Sequence, residues 1–462
     1  MATQTAISNP ATAATRSNST LTVRSTLVTT IRDSLRLPGA TKPLSTTWPH
    51  FCTLTGLVPP GKTVNGRTPG GRSSQSVEIT TPGDARASRE RLSPCDGTVS
   101  LVHTHEIAER HPAFQHHDPG GPAECLVHRG QLLVPLGGLD AAVDELARWI
   151  DRVDSADHAT LRLRPTADAI RIAEDYADRL KVSANHVHTV MVGAPILHGT
   201  GAKPEPVELP PEPPAEDWAK PVTVLILDTG VDPHPWFTSR PWFGEWGPVP
   251  ETLDFEGDGV TDAQAGHGTF VTGVALRHAP GAVLRHHRVL SSHGITDDRT
   301  VAMALRRTRQ HAAARGEHID VVVLTAGCHT TDDRCPPALV HEFSRFTDTV
   351  VVAAAGNHGT SRPFWPAALP SVVAVGATKP DGSPAPFSGH GPWVDTAAPG
   401  VDVVSAHVRP SATGRAYGAA RWSGTSFAAP RVAAEIAKAI NEGLTHTAAR
   451  ERVSPAMSSQ VS

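Results

Sequence analysis

Three residues in the second half of the chain have the types that nucleophilic catalysis requires: an acid, a histidine and a serine. Asp228 follows the apolar run VTVLIL, His267 lies between two glycines in AGHGTFVTGVA, and Ser426 opens the helical pattern SGTSFAAPRVAAEIAKAI. A serine hydroxyl is a weak nucleophile unless a neighbouring base takes its proton, and histidine titrates near neutral pH. A carboxylate can orient that histidine and stabilise its imidazolium form. Together, the three types indicate acyl transfer through a serine nucleophile.

Each segment also has an ordinary structural explanation. Asp228 could cap a turn, His267 could be a structural residue among 25 histidines, and Ser426 could be a plain helix cap. These explanations are outweighed because the three segments occur together in the order Asp, His, Ser. Residues 222–440 resemble the catalytic domain of subtilisin-like serine proteases, in which the triad has this order. The resemblance implies a serine endopeptidase that acts through an acyl-enzyme intermediate.

The resemblance also implies roles for residues outside the triad. The segment VVAAAGNHGT resembles the family's oxyanion-hole strand, so Asn357 would donate its side-chain amide to the developing oxyanion. An extended polypeptide substrate would add as a β-strand beside one segment, and a second segment would line the primary pocket. The candidate substrate-binding residues are Thr325, Ala326 and Gly327 from the first segment, and Ala354, Ala355 and Gly356 from the second. No metal ion and no cofactor is expected to take part.

The elements that must position these residues follow from the apolar runs. VTVLIL, AVLRHHRVL, DVVVLTA, TVVVAAAG and SVVAVGA are typical of short buried strands, and TVAMALRRTRQHAAARG has helical periodicity. Apolar strands that alternate with helices predict an α/β fold with a mainly parallel sheet and helices on both faces, and the resemblance implies that this fold is subtilisin-like. Asp228 would then lie at the carboxyl end of its strand, where sites form in open α/β sheets. We place this domain at residues 222–444 and a frayed polar tail at residues 445–462.

Upstream of this domain the composition changes twice. Residues 1–129 are rich in Gly, Pro, Ser and Arg, and we expect much of this region to be disordered because it has few apolar groups to bury. Residues 130–195 have the pattern of a small β-α-β-α-β module, with helices at LDAAVDELARWIDRV and TADAIRIAEDYADRL. Residues 196–221 form a linker whose prolines should keep it extended and outside any sheet. By resemblance the module is a prodomain that inhibits the active site intramolecularly; a permanent recognition or regulatory domain is the alternative.

Bulk composition limits which partners, cellular location and cysteine pairing we expect. The formal net charge of −4 gives no basic surface for nucleic acid, and no apolar run reaches the roughly 18 residues of a membrane span. The amino terminus lacks the apolar segment of a signal peptide, and the five cysteines cannot all pair, so we expect a cytoplasmic location and free thiols. Cys328 and Cys335 could nevertheless close a small loop. The alternatives to a general endopeptidase are a catalytically silent peptide-binding protein on this fold and a processing protease dedicated to one partner.

Overall fold

The computed structural model describes residues 107–154, 159–190, 203–247, 249–412 and 414–454. Most of the region predicted to be disordered, residues 1–129, therefore lies outside the described residues, as does the end of the predicted tail. The described residues form a smaller unit, residues 107–190, which we call the module, and a larger domain, residues 222–454.

The strands and helices are numbered in chain order. The strands are β1 (Phe114–His117), β2 (Cys125–Val134), β3 (Ile150–Asp154), β4 (Ala159–Leu163), β5 (Ser183–Thr189), β6 (Glu205–Val207), β7 (Thr223–Asp228), β8 (Val283–Arg288), β9 (Ile295–Asp297), β10 (Val321–Leu324), β11 (Val350–Ala354), β12 (Val372–Thr378), β13 (Thr396–Pro399), β14 (Val403–Ser411) and β15 (Gly414–Trp422). The helices are α1 (Leu139–Leu146), α2 (Ala169–Leu180), α3 (Pro235–Thr238), α4 (His267–His278), α5 (Asp298–Ala314), α6 (Pro337–Phe343), α7 (Thr425–Asn441) and α8 (His446–Val453).

A parallel sheet forms the centre of the larger domain, with strand order β13-β12-β11-β10-β7-β8. Successive side chains of a strand point to opposite faces, so each apolar run contributes side chains to two hydrophobic cores. Val224 and Ile226 pack on the face covered by α4 and α7, whereas Leu225 and Leu227 pack on the face covered by α5 and α6. The predicted parallel sheet between two helical layers is therefore present, and Asp228 ends its strand as expected.

The module is an antiparallel sheet with α1 and α2 packed on one face. Its strand order is β3-β4-β2-β5, and β1 pairs with β2. Strand β9 of the larger domain extends this sheet by pairing antiparallel with β5, so the sheet is shared between the two units. Leu133 projects from β2 into the core beneath α5 and α6, which attaches the module to the larger domain.

The module contains more strands than its sequence pattern predicts. Strand β2 crosses the predicted boundary at residue 130, and β1 lies wholly before that boundary. The predicted helix LDAAVDELARWIDRV ends at Leu146, and Ile150 instead begins β3. Ile150 lies four residues after Leu146, so its position in the sequence continues the apolar spacing of the helix. In the structure Ile150 belongs to the strand and is only partly buried.

The linker and the tail are also more ordered than predicted. Pro206 lies in β6, opposite Ala420 at the edge of the sheet β14-β15-β6, where a missing N–H costs no ladder bond. The tail forms α8, whose first turn is capped by the Thr445 hydroxyl. His446 anchors this helix through its Nε2, 3.0 Å from Oδ1 of Asp320. None of the described helices combines the length and the apolarity needed to cross a bilayer.

Candidate active site

Asp228, His267 and Ser426 lie together beyond the carboxyl ends of the central strands. Nδ1 of His267 is 2.8 Å from Oδ1 of Asp228, and both side chains are almost completely buried. Ser426 Oγ donates to the backbone carbonyl of Thr325 at 3.1 Å. No hydrogen bond joins Ser426 to His267 in the part of the chain that the structure describes. Catalytic hydrogen bonds are often long or unformed in resting enzymes, so this geometry is compatible with a triad.

Local sequence places His267 at the start of α4. Gly266 has a φ of 83°, and a Cβ there would lie 2.8 Å from Nε2 of His407. A Cβ on Gly268 would lie 2.1 Å from the carbonyl oxygen of Gly230. The two glycines therefore allow the backbone to pack closely beside His267. Aromatic rings hold the imidazole itself, with the centroids of Phe427 at 5.2 Å and Trp422 at 5.4 Å.

The oxyanion-hole candidate is tied to the nucleophile's helix. Oδ1 of Asn357 accepts from the backbone N–H and the hydroxyl of Thr425, both at 2.9 Å. These bonds fix the amide so that Nδ2 points away from α7, where it donates to the carbonyl oxygen of Val190 at 3.4 Å. Asn357 is therefore oriented as a donor toward a carbonyl group that approaches the site.

The predicted substrate strand is occupied by the module. The N–H of Thr189 donates to the carbonyl oxygen of Gly327 at 2.8 Å, and the N–H of Gly327 donates back at 3.4 Å. On the other side, the N–H of Val190 donates to the carbonyl oxygen of Gly294 at 3.0 Å. The end of β5 thus lies as an extended strand between two segments of the larger domain and presents the Val190 carbonyl to Asn357.

The predicted primary pocket contains an aromatic ring that the sequence pattern did not indicate. Phe364 is buried, and a Cβ on Gly327 would lie 2.4 Å from its Cε1. A Cβ on Gly356 would lie 2.9 Å from its Cδ1. The ring therefore lies against Gly327 of the first predicted segment and against Gly356 of the second. Only the absence of side chains at the two glycines leaves room for it.

Electrostatics at the site favour an ionised Asp228. Burial alone would raise the pKa of Asp228, but the His267 imidazole and hydrogen bonds from the Thr325 hydroxyl and the Thr229 N–H outweigh it. The pKa of Asp228 therefore lies below its usual value. The donors are close, with Thr325 Oγ1 2.5 Å from Oδ2 and the N–H of Thr229 2.7 Å from Oδ1.

Glu251, which sequence analysis missed, is a second buried carboxyl group beside the triad. Its Oε1 accepts from the N–H of Thr269 at 2.8 Å and from the Thr269 hydroxyl at 3.0 Å, next to His267 on α4. Burial raises the pKa of Glu251 from 4.5 to about 7. No motif marks this residue, because it lies in a polar loop whose packing depends on the complete fold.

The raised pKa of Glu251 predicts a pH-dependent stability. The folded state binds a proton more tightly than the unfolded state, so this contribution is complete below pH 4.5 and is lost as pH rises through about 7. We expect the free energy of unfolding of Ser426→Ala protein to fall by about 3 kcal/mol over that window relative to Ser426→Ala/Glu251→Gln. Urea unfolding at a series of pH values measures this. As a control, Glu208→Gln changes an exposed residue and should leave the dependence of the unfolding free energy on pH unaltered in Ser426→Ala protein. If Ser426→Ala protein and its Glu251→Gln variant show parallel pH dependence, the raised pKa does not belong to Glu251.

Comparison with known proteins identifies the class. Residues 219–456 match the model of the Subtilase family. The Thermophilic serine proteinase of Bacillus sp. (strain AK1) is 33% identical over 242 residues, which are 50% of this chain and 55% of that protein. Subtilisin BL of Lederbergia lenta is 34% identical over 225 residues, 47% of this chain and 75% of that protein. The crystal structure of fervidolysin from Fervidobacterium pennivorans, a keratinolytic enzyme related to subtilisin, is 19% identical, covering 70% of this chain and 57% of that chain with a TM-score of 0.49.

The fold class is that of a subtilisin-like α/β hydrolytic domain. The chain belongs to the Subtilase family, because the family match covers half of it. The resemblance inferred from residues 222–440 is thereby confirmed, and so is the predicted class of subtilisin-like serine endopeptidase. The chain spans about half the length of several relatives, including 55% of the thermophilic proteinase, so the assignments that follow are proposals.

Proposed function

We propose that this chain is an active serine endopeptidase in which Asp228, His267 and Ser426 form the triad and Asn357 supplies the oxyanion hole. The observation that carries the proposal is the pairing of His267 with the buried Asp228 beside a serine at a helix amino terminus. Asn357 supports it, because its amide donor is fixed by Thr425, the neighbour of Ser426. The amino terminus of α7 adds positive potential where negative charge develops.

The chemistry follows from these positions. Ser426 Oγ turns from the Thr325 carbonyl, transfers its proton to Nε2 of His267 and bonds to the substrate carbonyl carbon. The carbonyl oxygen becomes an oxyanion that accepts from Asn357 Nδ2 and the Ser426 backbone N–H. As the C–N bond breaks, His267 returns the proton to the leaving amine. Water then hydrolyses the acyl-enzyme by the same route, and the Asp228 carboxylate stabilises the imidazolium in both halves.

Hydrolysis of unstructured peptides tests this function. The purified chain should cleave a set of extended peptides at internal bonds, with amino and carboxyl products in equal amounts by mass spectrometry. His267→Ala protein should cleave none of them, whereas a change at a histidine far from the site, His341→Ala, should leave cleavage intact. If His267→Ala cuts the same bonds at the same rate, the activity belongs to another protein in the preparation.

We propose further that the module inhibits the site intramolecularly. Thr189 and Val190 form the hydrogen bonds that an extended substrate would need to Gly327 and Gly294, so substrate and module compete for one place. The Val190 carbonyl also lies against the oxyanion-hole amide. A cut close to Val190 would separate the module from the larger domain and expose the cleft after the module dissociates.

Backbone substitutions in β5 test the inhibition. Thr189→Pro removes the N–H that bonds to Gly327, so hydrolysis by the purified chain should begin with a shorter lag than in the wild type. Thr189→Val, which retains the N–H, is the matched control and should keep the wild-type lag. Intact mass measured in parallel should fall, as hydrolysis begins, by a fragment ending close to Val190. A lag unchanged by Thr189→Pro, with constant full-length mass during hydrolysis, would support a permanent domain instead.

The position of Phe364 leads us to propose a preference for small side chains before the cleaved bond. Its ring lies between the two predicted pocket walls, near the rings of His329 and His358, each 5.4 Å away between centroids. A large substrate side chain would have to displace a buried phenylalanine. Alanine or glycine needs no such displacement.

Phe364→Gly is expected to reverse this preference. Fully burying a large apolar side chain is worth about 1.5–3 kcal/mol, so kcat/KM for peptides with leucine or phenylalanine before the cut should rise about 10- to 100-fold relative to alanine. A peptide series that varies only this residue measures the ratio. Phe255→Gly, at an exposed phenylalanine, should not change it. A wild-type preference for large side chains would contradict the role given to Phe364.

A further inference from the structure

A buried polar cluster lies where the module meets the larger domain, apart from the proposed catalytic residues. Asp298, the first residue of α5, is fully buried. Its Oδ2 accepts from the N–H and from Nδ1 of His186 at 2.7 and 2.9 Å, and its Oδ1 bonds to Nε2 of His188 at 2.6 Å. The other ring nitrogens, Nε2 of His186 and Nδ1 of His188, are buried with no hydrogen-bond partner among the described residues. A buried nitrogen without a hydrogen-bond partner is destabilising, because it has lost the hydrogen bonds that it makes with water.

All three cysteines in the described part of the chain approach this cluster from different segments. Cys125 lies in β2 of the module, Cys328 follows Gly327, the partner of Thr189, and Cys335 lies just before α6. All three are free thiols. Burial raises the pKa of each thiol, that of Cys125 to about 12, and the Asp298 carboxylate raises all three further. The predicted possibility of a Cys328–Cys335 loop is therefore not realised. The Cys328 sulfur lies within 4.8 Å of donor atoms of His188 and Asp298.

Three of these groups have the spacing of a metal site. Donor atoms of His188, Asp298 and Cys328 lie within 4.8 Å of one another, and all three residues are buried. Zinc bonds of about 2.0–2.3 Å to nitrogen, oxygen and sulfur place tetrahedral donors roughly 3.5 Å apart. On binding, the 2.6 Å hydrogen bond between His188 and Asp298 would lengthen and the sulfur would move inward.

We propose that His188, Asp298 and Cys328 form a site for a thiolate-preferring divalent cation, zinc first, that joins the module to the larger domain. Imidazole, carboxylate and thiolate are all zinc ligands, and a water or a neighbouring thiol completes four-coordination. His188 belongs to the module, whereas Asp298 and Cys328 belong to the larger domain. The ion would therefore bridge the two units one residue from the Thr189–Gly327 pairing.

The charges of this site balance on binding. Cys328 loses its thiol proton to solvent, and the resulting thiolate, the Asp298 carboxylate and neutral His188 offset the two positive charges of the ion. A cavity of about 190 Å³ lies beside the cluster, and His186 and Cys335 are among the residues that line it.

Cobalt spectroscopy on full-length Ser426→Ala protein tests the site without interference from proteolysis. One equivalent of Co²⁺ should give a thiolate-to-cobalt charge-transfer band in the near ultraviolet, and Zn²⁺ should displace it. Cys328→Ser and His188→Gln, each added to this parent, should abolish the band. His446→Ala is the matched control, because His318, Asp320 and His446 form another potential cation site that has no sulfur. This variant should retain the full band.

The results of these experiments distinguish failure of the metal-site proposal from failure of the proposed protease function. No band in the parent protein, or an equal band in either the Cys328→Ser or the His188→Gln variant, would overturn the assignment. Thermal melting of each variant without metal shows whether a lost band reflects unfolding, and a folded variant that lacks the band supports the ligand role. In wild-type protein, Zn²⁺ should slow fluorophosphonate labelling of Ser426 at least tenfold by holding the module in place. Failure to label at all would count against the protease function and leave the cobalt result standing.

Discussion

Replacing Ser426 by alanine is expected to lower kcat for peptide hydrolysis by about 10⁶-fold, the loss found for the corresponding serine in subtilisin. In the proposed mechanism the Oγ atom forms the acyl-enzyme and supplies the proton that His267 accepts. Residual turnover should come from water attack assisted by Asn357 and by substrate binding, so KM should change little. Steady-state kinetics with a peptide carrying alanine before the cut measures both constants.

The neighbouring serine provides the control for this change. Ser423 is as buried as Ser426, and its hydroxyl bonds to the N–H of Asp402 rather than to the active site. Ser423→Ala should therefore retain kcat within about tenfold of the wild type while losing some stability. If Ser426→Ala protein also retained kcat within tenfold, Ser426 would not be the nucleophile.

Replacing Asp228 by asparagine is expected to lower kcat by about 10⁴-fold. The N–H of Thr229 donates to Oδ1, so an amide oxygen is favoured at that position and can still accept from Nδ1 of His267. The imidazole therefore keeps its orientation, whereas the negative charge that stabilises its protonated form is lost. Because this charge matters in the transition state, kcat should fall and KM should stay nearly constant.

A surface aspartate tests whether this loss is specific. Asp381 is exposed and bonds only within its own turn, so Asp381→Asn should be kinetically silent. Melting temperatures of both variants distinguish lost chemistry from lost folding. An Asp228→Asn enzyme with near wild-type kcat would show that His267 works without the buried carboxylate.

The sequence predicted the central sheet and the residues at its edge because both are encoded locally. Strands β7, β10, β11 and β12 are built from continuous apolar runs, and each residue of the proposed triad lies in its own short motif. Strand β3 was missed because IDRVD continues the apolar spacing of α1 and has no continuous apolar run. The edge strand β6 was missed because proline excludes a segment from a sheet interior but not from its edge.

Residues that act through long-range packing could not be predicted. Phe364 lies 37 residues after Gly327, and no periodicity connects a loop phenylalanine with the glycine that it contacts. Glu251 looks like any polar loop residue until burial raises its pKa. The carboxylate of Asp298 is bonded to histidines more than 100 residues away in the chain, so the cluster exists only after the module docks.

Fluorophosphonate labelling combined with intact-mass measurement tests whether Ser426 is the nucleophile. Wild-type protein that has lost the fragment ending close to Val190 should gain one probe adduct, and peptide mapping should locate this adduct at Ser426. Ser426→Ala protein should stay at full length and gain no adduct under the same conditions. Wild-type protein that has lost the module yet takes up no probe, or an alanine variant that is labelled equally, would contradict the assignment of Ser426 as the nucleophile.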